Sequence, residues 1–420
     1  MRRVGSLLLV GLAFGGCGTR ALPATTSEVP DCDTRVVEGN LCPGAPPVVC
    51  AGTCAVEPDC AATLEVPSPA EVDRLRAAPR GACARLGDGD YPALSIENVS
   101  LYGAGEARVR LRGLEVNSTE RVRIRGVLVG AQGVSVRGTG EVLLQGVRVL
   151  GATGTSVHAT PTVRLALDRV TIENGGGFGL MRECSTGAAL VEVTLAHVRV
   201  VNTRGAGLLL CDAATSLRGV LVDRTLAKDF VHGRAIDLQG GTLSATATLL
   251  SNGAEAGLLA SGGVATLGPR FYVDGHQPGV VLGKASQASL NEFAIKGARG
   301  AGLVVGPSGR AVVSKGSIDA VALVAVPSGV GGVAEVGDCI EAAGGAHVDV
   351  GPDVFLSGCA RRPAVLDTAN TGRFLAGLRA PDPAHPVVLQ GDEPTSLVLA
   401  PDLAIEKRPR AAALPILATP

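Results

Sequence analysis

From about residue 90 onward, aliphatic residues alternate with other residues in short runs that glycine separates. Aligning the chain on a small residue followed by an aliphatic one gives nine units with a mean spacing of about 24 residues. Their small residues are Gly133, Ser156, Gly179, Gly207, Ala235, Gly257, Gly279, Gly302 and Ala322. The following residue is always aliphatic, and two places further on the residue is apolar in every unit except the one that has Arg182. Since alternate residues of a strand face the same side, both positions are predicted to face one interior.

Each unit also contains a turn signal. Five residues before the small residue, six of the nine units have Asn, Asp or Gly, which tolerate a left-handed backbone. A unit of two strands and a turn cannot bury its apolar residues alone, but units stacked about 4.8 Å apart can. The pattern therefore predicts a parallel β-solenoid.

The chain resembles the right-handed parallel β-helix of the pectate-lyase-like superfamily in the length of its units and in a set of turn residues. These are Asn174, Asn202 and Asn252, with Asp274 as a near match. The asparagines match the stacked asparagine ladder of that superfamily. The resemblance covers roughly residues 90–375 and implies an all-β fold. A small disulfide-rich N-terminal module is predicted at 32–89, before the β-helix, and a C-terminal tail or cap at 376–420.

Composition agrees with a narrow interior and limits the possible partners. Aromatic residues make up 2% of the chain and Trp is absent, so stacked Val, Leu, Ile and Ala are expected to fill the coils. The formal net charge is −1, which lacks the positive excess of a nucleic-acid-binding protein. No sequence motif for a metal or a cofactor is present, so neither is predicted.

The amino end has the pattern of an export signal. Arg2 and Arg3 precede an apolar run at residues 7–14, which is too short to span a bilayer. Residues 14–17 resemble a bacterial lipobox, which implies that 1–16 is removed as a lipoprotein signal peptide and that Cys17 carries the lipid, followed by a tether at 17–31. Gly18 in place of Asp implies an outer-membrane or cell-surface location. An ordinary cleaved signal peptide is the alternative.

Ten cysteines remain besides Cys17, and an even number in an exported chain favours disulfides. Two pairs, Cys184 with Cys211 and Cys339 with Cys359, are spaced by about one coil and are predicted to bond across neighbouring coils. The connectivity of the other six stays open, and zinc is the less favoured alternative because there is no Cys-x-x-Cys pair. These six are Cys32, Cys42, Cys50, Cys54, Cys60 and Cys83.

Two sets of residues are candidates for function. A polysaccharide-cleaving member of the pectate-lyase-like superfamily needs clustered carboxylates together with a basic residue. The long unit after Gly207 contains five candidates, which are Asp223, Asp229, His232, Arg234 and Asp237. The Asn-Thr-Asp and Asp-Asp segments of polygalacturonases have no counterpart. The second set is an outward stripe of apolar residues, which predicts a cover formed by the chain's own loops or tail, or else by a glycan, a partner protein or a second copy. It consists of Met181, Leu209, Leu259, Val281, Val304 and Val324.

These observations favour a lipid-anchored bacterial envelope protein whose β-helix is non-catalytic and serves surface display, adhesion or binding. An extracellular polysaccharide lyase or hydrolase is the alternative, and a scaffold that seats another envelope protein is a third possibility. Clustering of the five candidate residues on one face would favour the enzyme. Exposure of Leu259, Val281 and Val304 would favour a partner.

Overall fold

The computed structural model describes residues 60–185, 190–227, 233–283, 285–327, 333–378, 386–391 and 396–409. Apart from one 3-10 helix at Pro69–Ala77, its regular structure consists of strands. No helix among these residues has the length and hydropathy that a membrane crossing requires. The strands form a fourteen-stranded and a twenty-four-stranded sheet, in which every pairing is parallel, and one separate hairpin. The predicted all-β parallel β-helix is confirmed.

Each coil contributes a strand to three faces in turn. Face 1 is the fourteen-stranded sheet and contains Leu94–Glu97, Leu114–Ser118, Val134–Gly138, Val157–Ala159, Leu180–Arg182, Leu208–Cys211, Ile236–Gln239, Leu258–Ser261, Val280–Leu282, Ala301–Val305, Asp338–Ala342, Arg362–Asp367, Val387–Gln390 and Ile405–Arg408.

Faces 2 and 3 together form the larger sheet, because four long strands run through both: Ala213–Leu226, Thr242–Ser251, Gln287–Lys296 and Arg310–Asp319. The other strands of face 2 are Thr63–Val66, Cys83–Leu86, Ser100–Gly103, Arg121–Arg125, Glu141–Gln145, Arg164–Asp168, Val191–Ala196, Val264–Leu267, His347–Val350, Thr371–Phe374 and Ser396–Leu399. Those of face 3 are Gly89–Tyr91, Val109–Leu111, Leu128–Val129, Arg148–Leu150, Thr171–Glu173, Arg199–Arg204, Phe271–Asp274, Val354–Ser357 and Gly377–Leu378.

The interior is a continuous column of aliphatic side chains, as the alternating pattern predicts. Leu180 pairs with Leu208 and Leu208 with Ile236 in neighbouring strands, and all three are fully buried. Such contact between successive coils is the main source of hydrophobic stabilisation in a solenoid.

The turns between faces 3 and 1 carry only part of the predicted asparagine ladder, because the strand register places Arg224 between Asn202 and Asn252. Asn174, Asn202 and Asn252 have φ values of 57°, 55° and 54°, a left-handed conformation that Asn tolerates better than most residues. The Nδ2 atom of Asn202 donates to Oδ1 of Asn174 over 2.6 Å, which links adjacent coils. Asp274 does not take this place, since Gly275 adopts the positive φ in that coil.

Disulfides join neighbouring coils. The predicted pairs Cys184–Cys211 and Cys339–Cys359 are present, with Cα–Cα distances of 4.7 and 5.4 Å. Cys60 bonds Cys83, which settles one of the open connectivities. Cys17, Cys32, Cys42, Cys50 and Cys54 lie outside the described residues.

The stack of coils extends past both predicted boundaries. Thr63–Val66 pairs with Cys83–Leu86, and both belong to face 2, although the sequence places them in the N-terminal module at 32–89. In the predicted tail at 376–420, Val387–Gln390 and Ile405–Arg408 are further strands of face 1. The strand-like segments of the tail therefore lengthen the stack and do not cover its outer stripe.

The unit predicted at Ala322 is wrong. Val324–Pro327 pairs antiparallel with Val333–Val336, and these two strands form the separate hairpin. The strand that follows Ala301–Val305 on face 1 is Asp338–Ala342. Both segments have a small residue followed by aliphatic residues at alternate positions, so the local pattern cannot distinguish the hairpin from the coil. Val324 consequently does not belong to the outward stripe.

Candidate functional site

The outward side of face 1 presents one central side chain from each coil. Strand register aligns Ser95, Glu115, Ser135, His158, Met181, Leu209, Asp237, Leu259, Val281, Val304, Glu341, Val365, Val388 and Glu406 in one row. The row changes character after Asp237. Its amino-terminal part contains ionisable and polar groups, whereas Leu259 and the next two members are aliphatic.

The aliphatic part of this row is buried rather than exposed. Val281 and Val304 have relative exposures of 7% and 0%, and they form a small apolar cluster with Ala256 and Ala301. Leu259 packs against this cluster and is half-buried. This burial weakens the prediction that the stripe is a docking surface for a partner.

An arginine between two carboxylates forms the centre of the candidate site. Arg234 precedes the strand Ile236–Gln239, and Asp237 is the outward residue of that strand, so the two side chains meet on one face. Nη1 of Arg234 donates to Oδ2 of Asp237 over 2.7 Å. Nε of Arg234 lies 3.2 Å from Oε2 of Glu255, which belongs to the next coil. One guanidinium therefore holds carboxylates from two coils together.

The two carboxylates differ in their access to solvent. Glu255 is 32% exposed and can touch a ligand, whereas Asp237 is 1% exposed. Gln239 donates its Nε2 to Oδ2 of Asp237 over 3.4 Å. Within the described residues, Oδ1 of Asp237 is buried without a hydrogen-bond partner. A buried acceptor in this state is unusual in proteins and indicates a polar site that a further donor can occupy.

The turn that carries Glu255 is held by a buried histidine. Nδ1 of His276 lies 2.9 Å from the backbone oxygen of Glu255, and the ring is fully buried. Burial lowers the pKa of His276 to about 4, so the ring is neutral near pH 7. His276 thus fixes the backbone of Glu255 without adding a charge beside the site.

A second ionisable pair lies on the amino-terminal side of the same face. Nε2 of His158 is 2.8 Å from Oε1 of Glu183, and the two side chains are 27% and 41% exposed. Because His158 and Asp237 are three strands apart in one row, the two centres are separated by about 14 Å. Met181 and Leu209 occupy the row between them. We call these two centres with the intervening residues the face 1 site.

The five predicted catalytic residues are only partly brought together. Arg234 and Asp237 belong to the face 1 site. Asp223 lies on face 3, where it is 1% exposed and accepts hydrogen bonds from Ser251 and Asn252 over 2.8 and 2.9 Å. The structure therefore does not bring Asp223 to Arg234 and Asp237. Asp229 and His232 lie outside the described residues.

Sequence analysis missed Glu183, Gln239 and Glu255 as members of the site. The row itself contains His158 and Asp237, but the missed residues lie at the two edges of the same face. Only the stacking of turns reveals that these edge positions contact the row. Among the described residues, no group of three or more His, Cys, Asp or Glu side chains is arranged to hold a metal ion.

Comparison with known proteins finds similar solved structures, of which two are described. One is the catalytic unit of a thermostable GH87 alpha-1,3-glucanase from Streptomyces thermodiastaticus, with 11% identity, a TM-score of 0.44, and coverage of 85% of this chain and 70% of the other. The second is the Agl-KA catalytic domain, with 9% identity, a TM-score of 0.35 and coverage of 84% and 70%. No family model matches the chain, and no curated protein matches it.

Both similar structures are catalytic units, which stands against the sequence-based prediction of a non-catalytic β-helix. The comparison does not extend further. At these identities and TM-scores, the likeness assigns neither a reaction nor a substrate to this chain, and any activity has to be argued from its own residues.

Proposed function

We propose that this protein is an exported polysaccharide lyase or hydrolase that acts at the face 1 site. One observation carries the proposal. Ionisable side chains from four coils form two centres about 14 Å apart on the outer side of one sheet, and two of the predicted residues, Arg234 and Asp237, are among them.

The roles follow from exposure. Glu255 is the carboxyl group at this centre that can contact a polymer and transfer a proton at a glycosidic oxygen or a sugar carbon. Asp237 and Arg234 are positioning residues, since Asp237 is buried and acts through the guanidinium that contacts Glu255. His158 and Glu183 lie about 14 Å from Asp237 along the sheet. At that place they would contact a neighbouring part of the polymer. An extended polymer along the stack would reach both centres.

The experiment is a cleavage assay on the purified exported protein with a panel of polymers. The panel contains α-1,3-glucan, other neutral glucans and polygalacturonate. New reducing ends report cleavage of either type, and the ultraviolet absorbance of unsaturated product ends separates a lyase from a hydrolase. Cleavage of at least one polymer that is lost in Glu255→Gln is the expected result. Failure to cleave any polymer of the panel contradicts the proposal.

The proposal also includes the superfamily, the export and the lipid anchor that the sequence predicts. Membership of the pectate-lyase-like superfamily is supported by the coil length and by the Asn174 to Asn202 ladder contact. Export is supported by the amino-terminal pattern and by three disulfides among the described residues, which form in oxidising compartments. Cys17 is the proposed lipid attachment site, which would hold the enzyme at the outer membrane or the cell surface. Metabolic labelling with a fatty acid that Cys17→Ser abolishes is the expected result.

A further inference from the structure

Exposed aromatic side chains occur at two places in the described residues, and both lie on face 3. Tyr272 and Phe355 are 38% and 40% exposed, while Phe271, Phe293 and Phe374 are buried. Strand register places Tyr272, Ala294, Ser317 and Phe355 in one outward row of neighbouring coils. Two rings, about 14 Å apart, thus stand at the ends of a floor made by two small side chains. This arrangement forms a shallow trough on a surface distinct from the face 1 site.

Hydrogen-bonding groups line one side of this trough. The next outward row of face 3 contains Asp274, Lys296, Asp319 and Ser357, one from each of the same four coils. Asp274 and Lys296 are exposed, and the hydroxyl of Ser357 donates to Oδ1 of Asp319. The trough therefore combines flat apolar rings with donors and acceptors that repeat along the stack. A pyranose chain has the complementary surface, since its ring faces are apolar and its edges carry hydroxyl groups.

The charges beside the trough determine which kind of glycan fits. The row next to the rings has two carboxylates and one ammonium group, a net charge of −1. The opposite edge has one charged residue in each of the same four coils, and their net charge is zero. These residues are Arg270, Glu292, Lys315 and Asp353. Neither side offers the positive excess that would attract an acidic polymer. The complementary ligand is an uncharged one.

We propose that the trough between Tyr272 and Phe355 binds a neutral polysaccharide chain. Binding at this place does not depend on cleavage at the face 1 site, because the two surfaces lie on different faces of the coil. The trough would hold an insoluble or long polymer against the protein, in addition to any chain bound on face 1.

Affinity electrophoresis and calorimetry test the proposal with dextran, laminarin and α-1,3-glucan as neutral probes and polygalacturonate as the acidic one. We expect retention by at least one neutral glucan. Tyr272→Ala and Phe355→Ala should each weaken binding about tenfold, whereas Tyr272→Phe retains it. Ser317→Glu, which places a charge on the floor, should weaken it without removing a ring. Val264→Ala, a change at an exposed apolar residue of face 2, is the matched control.

Binding is measured in the Glu255→Gln background as well as in the unchanged protein, so that loss of cleavage and loss of binding are separate results. The proposal is overturned if no neutral glucan is retained, or if the ring and floor variants bind as tightly as the control. Preference for polygalacturonate overturns it too, as does self-association that the ring variants abolish, since that would assign the trough to a second copy.

Discussion

Asp338 and Glu341 lie three residues apart on one strand of face 1, and each is only 1% exposed. Burial raises the pKa of Asp338, and burial together with the Asp338 charge raises the pKa of Glu341 to about 8. Arg361 lies nearby, with its Nη1 3.6 Å from Oδ2 of Asp338. The pair therefore keeps a proton at neutral pH, and Glu341 is the group that carries it.

This pair predicts that the protein loses stability as pH rises from 4.5 to about 8. A carboxyl whose folded pKa is about 8, above the ordinary 4.5, contributes stability that is complete below 4.5 and lost as pH rises through 8. Between these values the free energy of unfolding should fall by up to about 1.4 kcal/mol per pH unit. Denaturant unfolding from pH 5 to 9 measures the slope.

Glu341→Gln removes the titrating group and should flatten this dependence. Glu192→Gln, at an exposed position of face 2, is the control and should leave the slope unchanged. Arg361 and Arg362 lower the pKa values of both carboxyl groups, so in Arg361→Met the loss of stability should extend to higher pH. An unchanged slope in Glu341→Gln would contradict the assignment.

Arg182 explains the one exception to the aliphatic pattern and predicts a large loss of stability on truncation. The side chain fills an inward position with 1% exposure, and it donates to the backbone oxygens of Cys211 and Pro161. Asp212 adds an electrostatic attraction that opposes the desolvation of the guanidinium. Arg182→Ala leaves a cavity and removes the guanidinium that donates to two backbone carbonyl groups, so we expect a loss of about 3–5 kcal/mol in the free energy of unfolding.

The matched variant is Arg182→Met, which keeps most of the volume and removes the charge. It should lose less stability than Arg182→Ala, because only the hydrogen bonds are missing. Chemical denaturation of the three proteins provides the comparison. Equal stability of Arg182→Ala and the unchanged protein would show that the guanidinium does not support the coil.

The sequence is sufficient for the coil because the interior repeats the same requirement in every turn. Leu180, Leu208 and Ile236 could be aligned from spacing alone, since each packs against an aliphatic residue in the coil above and the coil below. The exceptions could not be foreseen in the same way. Arg182 breaks the rule with partners in two other segments, Pro161 and Cys211, which local sequence does not connect to it.

The candidate site was less predictable than the coil for a related reason. Periodicity gives the row of face 1 but not the path of the turns at its edges, where Glu183 and Glu255 lie. Asp223 is close to Arg234 in the sequence, but a change of face separates the two residues. The hairpin at Val324–Pro327 and Val333–Val336 misled the alignment, since its pattern matches that of a coil strand.

The disulfide between Cys184 and Cys211 predicts a measurable contribution to the stability of the face 1 site. The bond closes a loop with a sequence separation of 27 residues, next to the strand that carries Asp237. A loop of this length is expected to contribute about 3.5 kcal/mol by limiting the unfolded chain. Cys184→Ser with Cys211→Ser should lower the free energy of unfolding by about that amount. Replacing Cys339 and Cys359 in the same way is the control for a bond distant from the site.

The last prediction separates the residues of the face 1 site by their roles. Glu255→Gln keeps the shape of the side chain but cannot transfer a proton, so kcat should fall by about 10²- to 10⁴-fold with little change in KM. Asp237→Asn and Arg234→Lys should each lower kcat by less than Glu255→Gln does, because both residues act by positioning Glu255. Glu192→Gln should retain full activity.

Asp229→Asn and His232→Ala, at the two predicted residues outside the described part of the chain, belong in the same series. If Glu255→Gln keeps its kcat while Glu183→Gln or His158→Ala loses it, the reacting centre is the His158–Glu183 pair and the assignment to Glu255 is wrong.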